Sequence, residues 1–335
     1  MAQRRIAPGI RRACAACALW LTILPVAAVA AEAATGAPSG GESVLVAADD
    51  LELDPKLYRS LTVVRPGVST AAVRKQAVSE LTLAELPAEA RRKAERVLQN
   101  MGLFRRLPTL RFEVEPRVFH HLLQHPDVAV STWRAMEISR FELKQTAPNI
   151  YQADAKDGSA GQIEVWRSTD DDTLIYCDGA FKSPLLARPV VARSIMRLRT
   201  RLVEHAGGPT QAECVGDVFV EFPSQTVETI AKLISPISHS IADRNFKQLS
   251  LYAHLMSQAM TRQPDWVAAL TERMDASDAQ KAAFLQLARD VHQSARQRTV
   301  RGQEPMPVDT LIAPLRLPLT EGEPIVPAGY PARPR

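Results

Sequence analysis

Residues 194–222 read SIMRLRTRLVEHAGGPTQAECVGDVFVEF, and their two-residue period decides the fold. In the first half, Met196, Leu198, Thr200 and Leu202 fall on one side. Arg197, Arg199 and Arg201 fall on the other. Such alternation sends apolar side chains to one face of a strand and polar ones to the opposite face. In the second half, Cys214, Gly216, Val218, Val220 and Phe222 share a face. Gly207-Gly208-Pro209 between the halves is a turn signal, so the two runs are expected to pair as antiparallel strands.

The same period extends upstream. Strands are expected at 137–145 (EISRFELKQ), 149–156 (NIYQADAK), 161–168 (GQIEVWRS) and 172–178 (DTLIYCD). Ala147-Pro148-Asn149, Asp157-Gly158-Ser159 and the run Asp170-Asp171-Asp172 mark the turns. An earlier strand, 109–115 (TLRFEVE), precedes two short helices, 116–125 (PRVFHHLLQH) and a second one through Met136 that Asp127 can cap. Downstream the period changes to three and four. Val227, Ile230, Ile234, Ile237 and Ile241 form one stripe, and Phe246, Leu249, Ala253, Met256 and Met260 another. Pro236 is expected to kink or divide this long helix.

The order of elements is strand, two short helices, six antiparallel strands and a long helix. It resembles the helix-grip fold of the START-like and polyketide-cyclase superfamily, over residues 107–262. No sequence motif carries the resemblance. It implies an α+β fold in which a curved antiparallel sheet wraps around a long C-terminal helix. Helical extensions are expected at 44–106 and 263–300. In the first, Ser69 can cap a helix through Val78, Thr82 and Glu85 have capping-box spacing, and a helix runs from Pro87 to Met101 with Gly102 as its stop. In the second, Asp265 and Ser277 can cap two helices.

The ends of the chain speak to its destination. Arg4, Arg5, Arg11 and Arg12 precede an apolar run that closes on Ala28-Val29-Ala30, the pattern of a secretory signal peptide at 1–30. Residues 31–43 read as a flexible leader, and the proline-rich 301–335 as a disordered tail. Export to the periplasm, cell envelope or medium is therefore expected. The four leader arginines match the formal charge of +4, leaving the remainder near neutral. A neutral exported chain lacks the basic footprint of a nucleic-acid binder. After the leader, two cysteines remain, Cys177 and Cys214. They could pair as a cross-strand disulfide in an oxidising compartment or serve as two small buried apolar residues.

A bent sheet covered by one helix can leave a cavity lined by aliphatic and aromatic side chains. The expected walls are Trp133, Trp166, Tyr176, Met196, Leu198, Thr200, Leu202, Val218, Val220 and Phe222, with Ile230 and Ile234 from the helix. Thr200, Tyr176 or Arg134 could orient a ligand's head group. The segment 181–193 (FKSPLLARPVVAR) carries Leu185, Leu186, Val190 and Val191 between basic residues. It could gate the cavity and touch a membrane surface, or tuck under the domain edge.

Other constellations read as structural. His121 and His125 share a helix face, but Leu122 stands where a metalloprotease needs glutamate. Arg197, Arg199 and Arg201 fit an outer sheet face paired with Asp217, Glu221, Glu164 or Glu142, more readily than an anionic partner. No nucleophile elbow, phosphate loop or dinucleotide fingerprint occurs. The expected activity is non-catalytic binding or carriage of a lipid-like small molecule, with no metal, cofactor or nucleic acid. A cyclase- or hydratase-type cavity enzyme and an envelope scaffold with a filled core are the alternatives.

Overall fold

The computed structural model describes residues 57–181, 189–205, 208–223 and 236–300. The expected signal peptide, leader and tail lie outside the described residues. The fold is α+β, with a large, curved, open antiparallel sheet and helices on both of its faces. Its strands are β1 (Thr62–Arg65), β2 (Met101–Arg106), β3 (Thr109–Glu113), β4 (Glu142–Ala147), β5 (Ile150–Asp154), β6 (Ser159–Ser168), β7 (Asp172–Phe181), β8 (Val190–Val203) and β9 (Gln211–Glu221). They lie in the order β1-β3-β9-β8-β7-β6-β5-β4, and β2 also pairs with β9.

Strand β9 is the hub. One edge pairs with β8 without a register break, from Arg193↔Glu221 to Val203↔Gln211. The other edge pairs with β2 along one half and with β3 along the other. Pro108 has no N–H to donate, so β2 and β3 meet at a break rather than running as one strand. Leu107 N spans that break by donating to the Gly216 carbonyl at 2.8 Å. A Cβ at position 216 would stand 2.9 Å from Leu107 Cδ1 and 3.0 Å from Met196 Cε. Glycine leaves the room that both side chains occupy.

On the inward face, Ile163, Ile175, Met196 and Val218 join a large core. It includes α3 (Pro116–Gln124), α4 (Pro126–Ala135), α5 (Pro236–Arg262), α6 (Pro264–Glu272) and α7 (Asp278–Val300). Helix α5 presents Phe246, Ala253, Met256 and Met260 to this core, on the expected stripe. Pro236 stands at its first described turn; residues 224–235, with Ile230 and Ile234, lie outside the described residues. Arg105, on the inward side of β2, forms an ion pair with Asp243 of α5, with Nε donating to Oδ1 at 3.0 Å. Ser277 caps α7 as expected, with Gln280 completing the box.

The outward face carries a second core. Leu174, Tyr176, Ile195, Phe104 and Phe219 pack against α1 (Ala71–Ser79) and α2 (Ala88–Gln99). In α2 Ala90, Ala94 and Val97 are buried, a narrow apolar stripe, with Leu98 partly buried beside them. Small side chains let the helix backbone approach the sheet closely.

The expectation that 44–106 is a helical extension needs correction. Two of its segments are strands, and β2 is part of the main sheet. Helix α2 ends at Gln99, and the residues expected to form its last turn and stop begin β2 instead. A six-residue strand has little period of its own; pairing with β9 supplies what the local pattern lacks. Thr70, not Ser69, caps α1, and Thr82 makes no capping bond; its hydroxyl accepts from Arg167 at 2.8 Å.

Between the sheet and the N-terminal helices lies an ion-pair network. Asp217, about 1% exposed, accepts from Arg106 Nε and Nη2 at 2.6 and 2.9 Å and from Arg199 Nη2 at 2.8 Å. Arg199 also donates to Glu80, just after α1, at 3.1 Å. Arg197 donates to the Glu80 carbonyl and to Asp172, each at 2.7 Å. Removing one partner of a buried ion pair leaves an uncompensated charge and costs about 3–5 kcal/mol. Asp217→Asn should therefore lower the unfolding free energy in urea by about 3 kcal/mol. Glu213→Gln, which breaks the more exposed pairs to Arg111 and Arg201, should cost less than about 1 kcal/mol. Equal losses would contradict the assignment.

Candidate functional site

The expected cavity residues divide between the two faces. Met196, Leu198, Thr200, Val218, Val220 and Phe222 are buried and point inward, with Leu202 packed at their margin. Trp133 of α4 joins the same core and meets Tyr252 of α5 edge-on at 5.4 Å. Thr132 donates to the Ala129 carbonyl and so receives the Tyr252 hydroxyl proton, at 2.7 Å.

Trp166 and Tyr176 require correction, because they lie on the outward face beneath α2. Their rings stack at 4.9 Å with 8° between planes, and Lys93 of α2 sits 5.4 Å over Tyr176. Lys93 and the Trp166 indole both donate to Glu164, at 2.7 and 3.0 Å. Register explains the error. Tyr176 alternates with Ile175 and Cys177, whose side chains take the inward places. The pairing with β7 shifts between Val165 and Arg167, at Trp166.

Leu185 and Leu186 of the expected gate lie outside the described residues. Val190 and Val191 are not loop residues: they open β8, Val190 buried inward and Val191 half-buried outward.

Of the two readings of the cysteines, the structure has the buried apolar one: Cys177 and Cys214 are both buried and no disulfide joins them. Cys177 stands opposite Ser194 of β8 and Cys214 opposite Thr200. Six residues of strand separate those rows, about 20 Å at ~3.3 Å per residue, far beyond the reach of a disulfide. Burial pushes the Cys214 thiol up to about 12, so it is not a nucleophile at neutral pH.

The three outward arginines find acid partners as the structural reading expects, but the face it takes as solvated is covered by α1 and α2. Arg197 and Arg199 enter the network around Asp217 and Glu80, while exposed Arg201 pairs with Glu213 at 3.2 Å. Glu221 approaches Arg193 at 3.8 Å, and desolvation pushes its carboxyl above the usual range.

Among the histidines, His121 and His125 do share a face, ring centroids 4.6 Å apart, with Phe284 of α7 at 5.8 Å from His121. Burial, with His125 beside it, lowers His121 to about 4. Among the described residues, no group of three or more His, Cys, Asp or Glu could hold a metal ion. The sequence reading passed over His254 of α5, which is about 1% exposed. Its Nδ1 donates to the Glu113 carbonyl at 2.8 Å, and burial lowers its pKa. This bond fixes a neutral tautomer and ties α5 to the end of β3.

Two adjoining clefts of about 510 and 600 Å³ open where α4 and the segment after it, β4, the β5–β6 turn and the α6–α7 turn meet. Arg134 and Asp275 line both and bond to each other at 2.7 Å. Core residues Val130 and Leu143 line the first; Arg140, Glu142, Lys156 and Arg273 line the second. From sequence, only Arg134 reads as a ligand contact; Asp127 and Ser277 read as helix caps and Glu142 as an arginine partner. The lining residues come from distant segments, and no local pattern links them.

No protein-family model matches the chain, and no curated protein sequence matches it. Among the described residues, no helix is long and apolar enough to cross a membrane.

Two outcomes check the site chemistry. Reduction should leave the mass of the natively purified chain from Ala31 unchanged, and Cys177 and Cys214 should react with a thiol reagent only in denaturant. A mass gain of two protons would restore the disulfide. His121, protonated in the unfolded chain near 6.5, resists protonation in the fold until about 4. Its contribution is full above pH 6.5 and falls as pH drops toward 4. Urea midpoints at pH 7 and pH 5 should therefore differ less in His121→Leu than in the wild type.

Proposed function

We propose that this is an exported helix-grip protein that binds an apolar or amphipathic small molecule without chemistry. The observation that carries this reading is the order of the sheet. β3 is followed by α3 and α4, then six antiparallel strands, then α5, and β3 returns to pair with β9. The resemblance stated above has this sequence of elements, with α5 as the gripping helix. Export rests on the basic head, apolar run and Ala28-Val29-Ala30 of the leader.

Burial narrows the place of the guest. Ile163, Ile175 and Met196 have no surface open to solvent or to a void. The middle of the inward face is therefore filled by the protein's own side chains. Toward one end, Cys177, Val190, Ala192 and Phe222 keep 5–8% of their surface exposed. Ala192 stands opposite Gly179 on one side, and its neighbours on β8 and β9 extend the same apolar row. This end of the inward face is the proposed contact surface. Affinity would come from apolar transfer, at about 25 cal/mol per Å² removed from water.

The filled centre favours a second reading, an envelope scaffold that holds no guest. Mass spectrometry of a lipid extract from the chain purified from its native host separates the two. The carrier reading expects a stoichiometric co-purifying amphiphile and saturable binding of a dansyl-labelled fatty acid. It also expects Ala192→Phe to weaken that binding more than a control overpacking at Ala212, deep in the same core, of matched melting temperature. No co-purifying ligand and no probe binding would leave the scaffold reading.

A further inference from the structure

We propose that the paired clefts around Arg134 form a binding site for the phosphate group of a small molecule. This site is separate from the apolar row proposed above and does not rest on the carrier reading.

The charge arrangement carries the inference. Five cationic side chains line the two clefts against four carboxylates. The Glu142 carboxylate alone faces three of the cations: Lys156 at 3.1 Å and Arg134 and Lys144 at 3.7 Å each. One carboxylate cannot neutralise three cations. Lys156 finds a second acid in Asp154 at 2.9 Å, and Arg134 finds Asp275 at 2.7 Å. Arg140, on the same wall, makes no ion pair with any described residue. A phosphate oxyanion entering here meets the Arg140 guanidinium, which has no acid partner among the described residues, beside Arg134, whose charge Glu142 and Asp275 partly offset. Guanidinium forks suit phosphate because they offer parallel donors, which strengthens recognition beyond a point charge.

The backbone of the rim supports the assignment. Glu137 and Lys156 line the second cleft with φ of 60° and 63°, a conformation that glycine adopts without strain. Residues held there cost roughly 1–3 kcal/mol and persist where the surroundings over-determine them. Here the anchors are visible. Glu137 accepts from Arg273 at 2.9 Å, and the Lys156 amide donates to Asp154 at 2.8 Å. The rim is thus built around charged side chains where the backbone alone would prefer glycine. Leu143 and Val130, on the cleft lining, belong to the main core, so these walls stand on packed elements.

Isothermal titration of the purified chain with pyrophosphate at low salt tests the site. One saturable site is expected. Arg140→Glu, at an exposed position, should weaken it about tenfold. Glu142→Gln removes the competing carboxylate and should strengthen it severalfold. Arg201→Glu, on the outward face, should leave it unchanged. A second arm sediments the chain with phosphatidylcholine vesicles doped with phosphatidic acid. Arg140-dependent sedimentation that pyrophosphate competes away would place the phosphate on a lipid head group; titration without sedimentation would place it on a soluble molecule. Either result supports the site. No pyrophosphate binding, or binding that Arg140→Glu and Arg201→Glu weaken equally, overturns it. Matching thermal melts for each variant guard against loss of fold.

Discussion

The buried carboxylate of Asp217 is the interaction on which the two halves of the molecule depend. It sits on β9, accepts from β2 through Arg106 and from β8 through Arg199, and reaches Glu80 after α1 through the same arginine. A charge with about 1% exposure is tolerated only when its lone pairs are filled. That requirement sets the lateral position of β2 against β9. It also seats the end of α1 over the sheet.

The sheet consequently has two buried faces of different character. The inward face is wide and aliphatic and shares one core with the five described helices α3–α7, of which α7 packs on α3, α5 and α6. The outward face is a narrower core fringed by ion pairs, in which α2 rides on three small residues. An outward face left to solvent would be ordinary for an antiparallel sheet. Here the outward phenylalanines Phe104 and Phe219, 5.3 Å apart, need a cover, and the N-terminal helices supply it.

This double covering leaves little of the sheet surface open. The centre of the inward face is filled by its own side chains. The described clefts lie at the margin, lined by charged side chains where α4 meets the α6–α7 turn. Loops and element ends assemble both clefts, as is common for binding surfaces carried on a rigid scaffold.

What the sequence determined by itself follows from periodicity. The strands of 142–221, the two short helices at 116–135 and the core stripe of α5 are legible because each buries one face and repeats its pattern several times. The inward places of Met196, Leu198, Val218 and Val220 follow from the same alternation. Tertiary structure alone decided the rest. β2 is too short to announce itself and exists through β9. Trp166 and Tyr176 went outward because register, not hydrophobicity, assigns a face. Cys177 and Cys214 stay apart because strand order puts six rows of β8 between them. The charged cleft joins residues from 127 to 280, and only the folded chain brings such distant charges within reach of one another.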